Sequence, residues 1–276
     1  MSTMTRPRDA QTGAPPLRPL PSLGTAFRAQ VRVMGINHRW ELLGVTVLSL
    51  LLAVGIGSSI AHQLERQMDR QPDMVDVEGF REAFSVLPGA VVPLLLLAAL
   101  WALTTWRHDR PSQRGYLLAA PIDRRLHQAV RIAAGWVWLM AATLVCLLAL
   151  ALFTTLVGAS ATFVRDLLAW GALPFLGETL AYLSASVLSL LSDHPAWWLL
   201  GILIGGPLLL GLLAAAVDPA VTATIAAVVS SFMHALTGMN PPTGTALPQS
   251  WGGAVLLWAP VTLGAVAAAC TVRRKG

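Results

Sequence analysis

Long apolar runs alternate with short polar segments along most of this chain. A helix needs about 20 mainly apolar residues to cross the hydrocarbon layer of a membrane. Six runs come close to that length, and they cover about 43–61, 85–106, 127–157, 196–217, 219–238 and 251–271. Tryptophans lie near several of their ends, as is typical of membrane–water interfaces. The pattern therefore predicts an all-α integral membrane protein with six transmembrane helices.

The segment 162–193 fits this alternation less well than the six runs. It contains apolar stretches at 167–177 and 179–191, but Pro174 and Glu178 interrupt them. A carboxyl group near the middle of a bilayer is costly unless it faces a cavity or a partner. We therefore expect 162–193 to be an external segment that forms an interfacial hairpin.

A second topology stays open. In it, 164–191 crosses the membrane, Asp193 to Pro195 turns on the cytoplasmic side, and 196–217 crosses back. Residues 219–238 would then dip into the membrane and leave it on the side where they entered. Both topologies place the N-terminus and the C-terminus in the cytoplasm.

The first 40 residues lack a long apolar run. Residues 1–24 are rich in Pro and Arg and poor in apolar side chains, which predicts a disordered cytoplasmic tail. From Thr25, a suitable N-cap, apolar and basic residues recur at helical spacing, namely Phe27, Arg28, Val31, Arg32 and Met34. We expect residues 25–40 to form an amphipathic helix in the cytoplasmic membrane interface, with its arginines near lipid head groups. The alternative is a short helical start to the first span.

The composition agrees with a membrane protein, since only 12% of the residues are charged, against about a quarter in soluble domains. The net charge of +5 is unevenly distributed. Residues 1–42 hold six Arg and two acidic residues, residues 107–131 hold the same numbers, and residues 62–84 hold three Arg and six acidic residues. Because basic loops mark the cytoplasmic side, we expect both termini and 107–131 inside, and 62–84 and 162–193 outside.

This distribution argues against a nucleic-acid-binding protein, because membrane topology accounts for the basic segments. Lys275 is the single lysine among the 19 basic residues. Such a bias towards Arg indicates a GC-rich bacterial genome. We therefore expect a multi-pass protein of the bacterial cytoplasmic (inner) membrane.

The loop 107–126 between the second and third runs has features of a docking segment. Tyr116 opens a short apolar stretch that needs a partner or the membrane surface to cover it. Pro121 then introduces a turn that is followed by Arg124 and Arg125, whose guanidinium groups suit paired hydrogen bonds with carboxylates. The alternative is that these arginines only fix the topology and contact lipid head groups.

These features together resemble the ABC-2 type permeases, the transmembrane subunits of ATP-binding cassette exporters. The chain shares with them six spans, a basic N-terminal amphipathic helix, a short basic tail and a loop of the form R-x-x-x-R-G-Y-L-L-A-A-P-I-D-R-R. The matching loop positions are Arg110, Arg114, Gly115, Pro121, Asp123, Arg124 and Arg125. Two details depart from the family pattern: Asp123 stands where Ser is common, and Gln113 and Arg114 replace the acidic residue that often precedes the Gly.

The resemblance implies that 107–126 couples this chain to an ABC-type ATPase subunit. It also implies a homodimer or a pair of permeases, and an unknown substrate that moves outward. The apolar character of the predicted spans suits an amphiphilic or lipid-like substrate better than a charged one. ATP and Mg would bind to the ATPase, and this chain, which has no phosphate-binding G-x-x-x-x-G-K-[ST] motif, would bind no cofactor and catalyse no reaction. Two alternatives are a non-transport module that couples an ATPase to an external process, and a secondary carrier. The predicted spans lack the charged residues that an ion relay needs, which disfavours the carrier.

A few polar or small residues within the predicted spans are further candidates. Ser230, Ser231 and His234 give one run a polar face, which either lines a pathway or hydrogen-bonds to a neighbouring helix. Gly201 and Gly205 form a G-x-x-x-G motif that permits close helix contact. We expect that contact to lie within the chain rather than at a homodimer seam. No motif for a metal site is present.

Overall fold

The computed structural model describes residues 22–70, 78–107, 124–156, 171–206, 219–238 and 250–271, and the pairs 164–165, 167–168, 208–209 and 211–212. Eight helices lie in these ranges: α1 (Leu23–Asn37), α2 (Arg39–Arg70), α3 (Glu78–Arg107), α4 (Arg124–Leu156), α5 (Ala172–Leu191), α6 (Pro195–Leu200, continued by a π-helical turn at Gly201–Gly205), α7 (Pro219–Thr237) and α8 (Trp251–Thr271). The described residues contain no strand. The predicted all-α class is therefore confirmed for the described part of the chain.

Five of these helices are long and apolar enough to cross a membrane: α4 from Arg125, α5, α7, α8, and α2 over Arg39–Ser59. In α3, the stretch Val91–Trp106 is also apolar but shorter. The structure thus agrees with a multi-pass membrane protein. Four of the six predicted runs, 43–61, 127–157, 219–238 and 251–271, each coincide with one of the five long apolar helices.

The first three long helices run alternately up and down. The indole N–H of Trp101, late in α3, donates to the Gly135 carbonyl, early in α4, at 2.9 Å. Further along, the α3 residue Leu94 joins Cys146 of α4 in one apolar cluster, so α3 and α4 are antiparallel. The Cys146 thiol donates to the Ser49 carbonyl of α2 at 3.2 Å. Farther along both helices, Gly57 of α2 faces Phe153 of α4, so α2 and α4 run in the same direction.

Helix α5 runs antiparallel to α4. The Tyr182 hydroxyl, in the second half of α5, donates to the Ile132 carbonyl, early in α4, at 3.1 Å. Glu178, one turn earlier in α5, hydrogen-bonds to Thr143, later in α4. Later positions in α5 thus contact earlier positions in α4, so α5 ends near the point where α4 begins.

The last two long helices continue the alternation. Gly177, near the start of α5, packs against the Leu236 carbonyl at the end of α7. The indole N–H of Trp258 in α8 donates to the Ser231 hydroxyl of α7 at 3.1 Å. Earlier in α8, the indole N–H of Trp251 donates to the Ala235 carbonyl at 3.2 Å. Helix α7 is therefore antiparallel to both α5 and α8.

It follows that α2, α3, α4, α5, α7 and α8 alternate in direction. At one end of the bundle, α2, α4 and α7 begin and α3, α5 and α8 finish. We call this end the basic end, because Arg39, Arg107, Arg124 and Arg125 lie there. The apolar cluster at this end joins Met34 of α1 to α3, α4, α5 and α8. Both described ends of the chain, α1 and the last turn of α8, thus lie at the basic end.

The hairpin expected at 162–193 is wrong, because Ala172–Leu191 is one continuous helix. Pro174 lies in its first turn, where a missing N–H removes no helical hydrogen bond. Glu178 faces protein rather than lipid, so the penalty that favoured an external position does not apply. A crossing segment at 164–191, the other topology considered, agrees with this helix.

The run 196–217 is not one of the alternating helices. Helix α5 ends at the basic end with Leu191, and α7 begins at the same end with Pro219. In this segment Trp197, Trp198 and Leu208 are exposed. The second topology also had 196–217 crossing and 219–238 dipping; in the structure α7 instead runs antiparallel to its neighbours along its length.

Helix α1 begins earlier than expected. Its N-cap is Ser22, whose hydroxyl accepts the Thr25 N–H at 3.3 Å, so Thr25 is not the cap. Phe27, Val31 and Met34 face the bundle, and the indole N–H of Trp138 in α4 donates to the Val31 carbonyl at 3.0 Å. Arg28 and Arg32 are exposed. That α1 lies in a membrane interface stays a prediction.

The glycines of the bundle offer a test of its packing. A Cβ at Gly177 would collide with the Leu236 carbonyl, whereas one at Gly205 would meet nothing within 4 Å. We expect Gly177→Ala to lower the free energy of unfolding by about 1–3 kcal/mol through overpacking. Gly205→Ala should leave it unchanged or raise it slightly, because Ala favours the helix by about 1 kcal/mol. Thermal unfolding of the purified chain in lipid nanodiscs measures both, and equal effects would contradict the α5–α7 contact.

Candidate functional site: a carboxyl group inside the helix bundle

Helix α5 has protein on several sides. It packs against α3, α4, α7 and α8, and about half of its residues are buried. The small residue Gly177 allows α7 to approach closely, while Tyr182 is fully buried against α4. This position makes α5 the central helix of the described bundle.

Glu178 is the functional candidate that this packing creates. Its side chain is 1% exposed, although a carboxyl group is rarely buried without a partner. The Oε2 atom hydrogen-bonds to the Thr143 hydroxyl of α4, and the buried Oε1 atom has no hydrogen-bond partner among the described residues. An ionisable side chain within a transmembrane helix is costly, and where one is found it usually serves a function.

The neighbours of Glu178 connect three helices. Thr143 lies one turn before Cys146 on α4, and the Cys146 thiol donates to the Ser49 carbonyl of α2. One residue beyond Glu178, the Thr179 hydroxyl accepts the indole N–H of Trp136 in α4 at 2.9 Å. A line of polar contacts thus runs from α2 through α4 to α5 within an otherwise apolar bundle.

A second polar cluster lies at the basic end, where the loop 107–126 joins α3 and α4. The Arg131 guanidinium of α4 is buried, donates to the Thr105 carbonyl of α3, and lies 4.8 Å from the ring centroid of Trp106. A hydrogen bond to a charged donor is worth about 1.5–3 kcal/mol. This contact fixes the end of α3 to the start of α4 and provides a rigid base for the loop.

The residues predicted for the coupling loop fall mostly outside the described residues. Six of them do so: Arg110, Arg114, Gly115, Tyr116, Pro121 and Asp123. Arg124 is the first residue of α4, and Arg125 is exposed in its first turn. The first turn of α4 holds no acidic residue. Positive charges are unfavourable at this end of a helix dipole, so the two arginines do not serve the stability of α4.

The structure distinguishes among the other candidates. Ser231 is buried and accepts the Trp258 hydrogen bond described above, which matches interhelical hydrogen bonding rather than pathway lining. His234 is buried in the same turn, and Ser230 is half-buried. Among the described residues, no atom lies within 4 Å of a Cβ placed at Gly201 or Gly205. That the G-x-x-x-G motif packs within the chain stays a prediction.

Sequence reasoning missed the role of Glu178 because it placed this residue outside the membrane. The available signal was a single acidic residue within about 20 otherwise uncharged positions. No protein-family model matches this chain, and no curated protein matches it significantly.

The Thr143–Glu178 hydrogen bond can be tested with a matched control. Thr143→Val keeps the shape of the side chain but removes the hydroxyl group that hydrogen-bonds to the Glu178 carboxyl. The change should lower the free energy of unfolding by about 1–3 kcal/mol. Thr154 is buried on the same helix, and its described hydrogen bonds go to the Leu150 and Ala151 carbonyls of that helix. Thr154→Val should therefore lower the free energy of unfolding by less. Thermal unfolding in nanodiscs compares the two.

A double-mutant cycle isolates the pair. In a Glu178→Leu background, Thr143→Val should lose most of its effect, because no carboxyl remains to be left unpaired. An unchanged effect in that background would show that Thr143 acts through its own helix.

Proposed function

We propose that this chain is the permease subunit of an ABC exporter, which acts as a dimer with separate ATPase subunits in the bacterial inner membrane. The observation that carries the proposal is the convergence of basic segments at one end of the bundle. Helix α1, the base of the loop 107–126 and the end of α8 all lie there. This is the arrangement that a cytoplasmic docking face requires.

In this proposal the six spans are α2, α3, α4, α5, α7 and α8. Their alternation supports a cytoplasmic location for both termini, because an even number of crossings returns the chain to its starting side. The basic loops at this end support the same orientation through the positive-inside rule. Residues 192–218 would then lie on the cytoplasmic side, where the exposed Trp197 and Trp198 suit a membrane interface.

The contacts at the base of the loop support its coupling role. A displacement of 107–126 by the ATPase would act on α3 and α4 together, because Arg131 binds them to each other. Helix α1 would move with α4 through the Trp138–Val31 hydrogen bond. The arginines at the start of α4 oppose the helix dipole, and carboxylates on a partner would offset that cost.

Glu178 favours a second candidate, a secondary carrier. The sequence disfavoured a carrier because the predicted spans held no charged residue, and the structure puts Glu178, a buried acidic residue, in the first half of α5. An exporter driven by ATP would need its ATPase to move substrate, whereas a carrier would respond to an ion gradient without one. A non-transport coupling module would show ATP turnover and no cargo.

The proposed topology can be checked by cysteine labelling in intact cells. Asp193 is exposed in the turn after α5, and the structure puts it at the basic end. Asp193→Cys should therefore react with a membrane-impermeant thiol reagent only after the cells are opened. Glu78→Cys, at the start of α3, should react from outside. Labelling of position 193 in intact cells would place this residue outside the cell, as in the topology with an external 162–193. It would contradict a set of spans that includes α5.

The coupling role can be checked by charge reversal. Arg124→Glu/Arg125→Glu should weaken association with the ATPase, because each contact of about 1.5–3 kcal/mol becomes a repulsion. Co-purification and stimulated ATP turnover measure the effect. The control is Arg28→Glu/Arg32→Glu, which makes the same charge change on exposed positions of α1 at the same end. Full ATPase binding by the first variant, once inserted correctly, would leave the arginines as topology determinants only.

A further inference from the structure

We propose that Glu178 and Thr143 form a proton-binding site inside the helix bundle. The proposal does not depend on the exporter function, since it concerns the state of one carboxyl group. The site takes a proton as its ligand, and the proton holds α4 and α5 together.

The hydrogen-bond geometry of Thr143 is the first argument. Its hydroxyl oxygen lies 3.0 Å from the Leu139 carbonyl and also contacts Glu178 Oε2. A hydroxyl group has one hydrogen and can donate to only one of these two oxygens. If Thr143 donates to Leu139, then the hydrogen in the second contact comes from Glu178. Both contacts are satisfied together when Glu178 is a carboxylic acid.

The second argument is the lack of compensation for a negative charge. An ionised carboxylate would have two oxygens to satisfy, and in the part of the chain that the structure describes Oε1 has no hydrogen-bond partner. A buried charge is stable only when it is paired and hydrogen-bonded. A neutral acid leaves only a carbonyl oxygen unsatisfied, which costs far less.

Among the contacts of the described residues, no titratable group on the surrounding helices forms an ion pair with Glu178. Cys146 lies on α4, His234 on α7, Tyr182 on α5 itself and Cys270 on α8. In α3 the described apolar stretch Val91–Trp106 holds no titratable side chain. The buried cation of α4, Arg131, is engaged at the basic end with Thr105 and Trp106.

A proton fits this site better than a metal ion. Hard cations require several oxygen ligands, commonly six or more for Ca²⁺ and Mg²⁺. The contacts described for the carboxyl offer one hydroxyl group, and the described residues contain no cluster of metal-binding side chains.

Loss of the proton would therefore change the contact between α4 and α5. The carboxylate would need water or a new donor, and either requires the helices to separate locally. Because α5 also contacts α3, α7 and α8, that movement would extend to most of the bundle. Proton binding at Glu178 is thus linked to the packing of the central helix.

The primary test is infrared spectroscopy of the full chain in lipid nanodiscs, where a protonated carboxyl group gives a C=O band distinct from that of a carboxylate. At neutral pH we expect a band that Glu178→Gln removes. The control Glu41→Gln changes a partly exposed carboxyl at the start of α2 and should leave the band unchanged. Thr143→Val should shift the band, since it removes the hydrogen-bond partner of the acid, and this variant serves if Glu178→Gln fails to fold. Absence of both effects would overturn the proposal.

The link to helix contact has its own test. Trp136→Cys/Thr179→Cys, in a chain without Cys146 and Cys270, replaces two side chains that hydrogen-bond across α4 and α5. A short bifunctional thiol reagent should join them less efficiently at alkaline pH than it does in the same chain carrying Glu178→Gln. The comparison removes the pH dependence of thiol reactivity, and equal profiles in the two chains would contradict the linkage. Neither measurement involves an ATPase, so both stand apart from failure of the exporter proposal.

Discussion

The hydrogen bond between Thr143 and Glu178 constrains the centre of this structure. A carboxyl group enclosed by apolar helices is tolerated only where a partner meets it, and the partner here is on α4. The bond therefore fixes the distance and the register between α4 and α5. Since α5 contacts α3, α7 and α8 as well, the position of the remaining helices follows from the same restraint.

The direction of α5 also determines the order in which the helices alternate. Once Ala172–Leu191 runs antiparallel to α4, the chain returns to the basic end at Asp193. Helix α7 must then start from that end to reach its contacts with Gly177 and Trp258. The intervening apolar segment 192–218 is left outside the alternation. Helix α5 thus takes the place in the alternation that was expected for 196–217. Six helices still alternate in direction, which is the number expected from the charge distribution.

Apolar periodicity predicted α2, α4, α7 and α8 well, because each contains an apolar stretch that is long enough to cross a membrane and holds very few charged residues. It failed at α5 and at 196–217 for one physical reason. Hydropathy measures the cost of transfer from water to lipid. It includes neither the shelter that Thr143 gives Glu178 nor the contacts that a segment makes with other helices. The predicted docking residues of the loop lie mostly outside the described residues, so that part of the interpretation stays a prediction.

In the proposed exporter, the docking face and the buried carboxyl would be connected by one helix, α4. Arg125 in its first turn and Thr143 in its middle are 18 positions apart, or roughly 27 Å at 1.5 Å per residue. An unbroken helix transmits a displacement over this length with little loss. Arg131 and Trp138 attach α3 and α1 to the half of α4 that lies nearer the basic end. A force applied at the basic end would therefore strain the Thr143–Glu178 bond, and a change of proton at Glu178 would in turn bias the position of the basic end. In the exporter proposal and in the carrier alternative alike, coupling between the basic end and the interior of the bundle would run along α4.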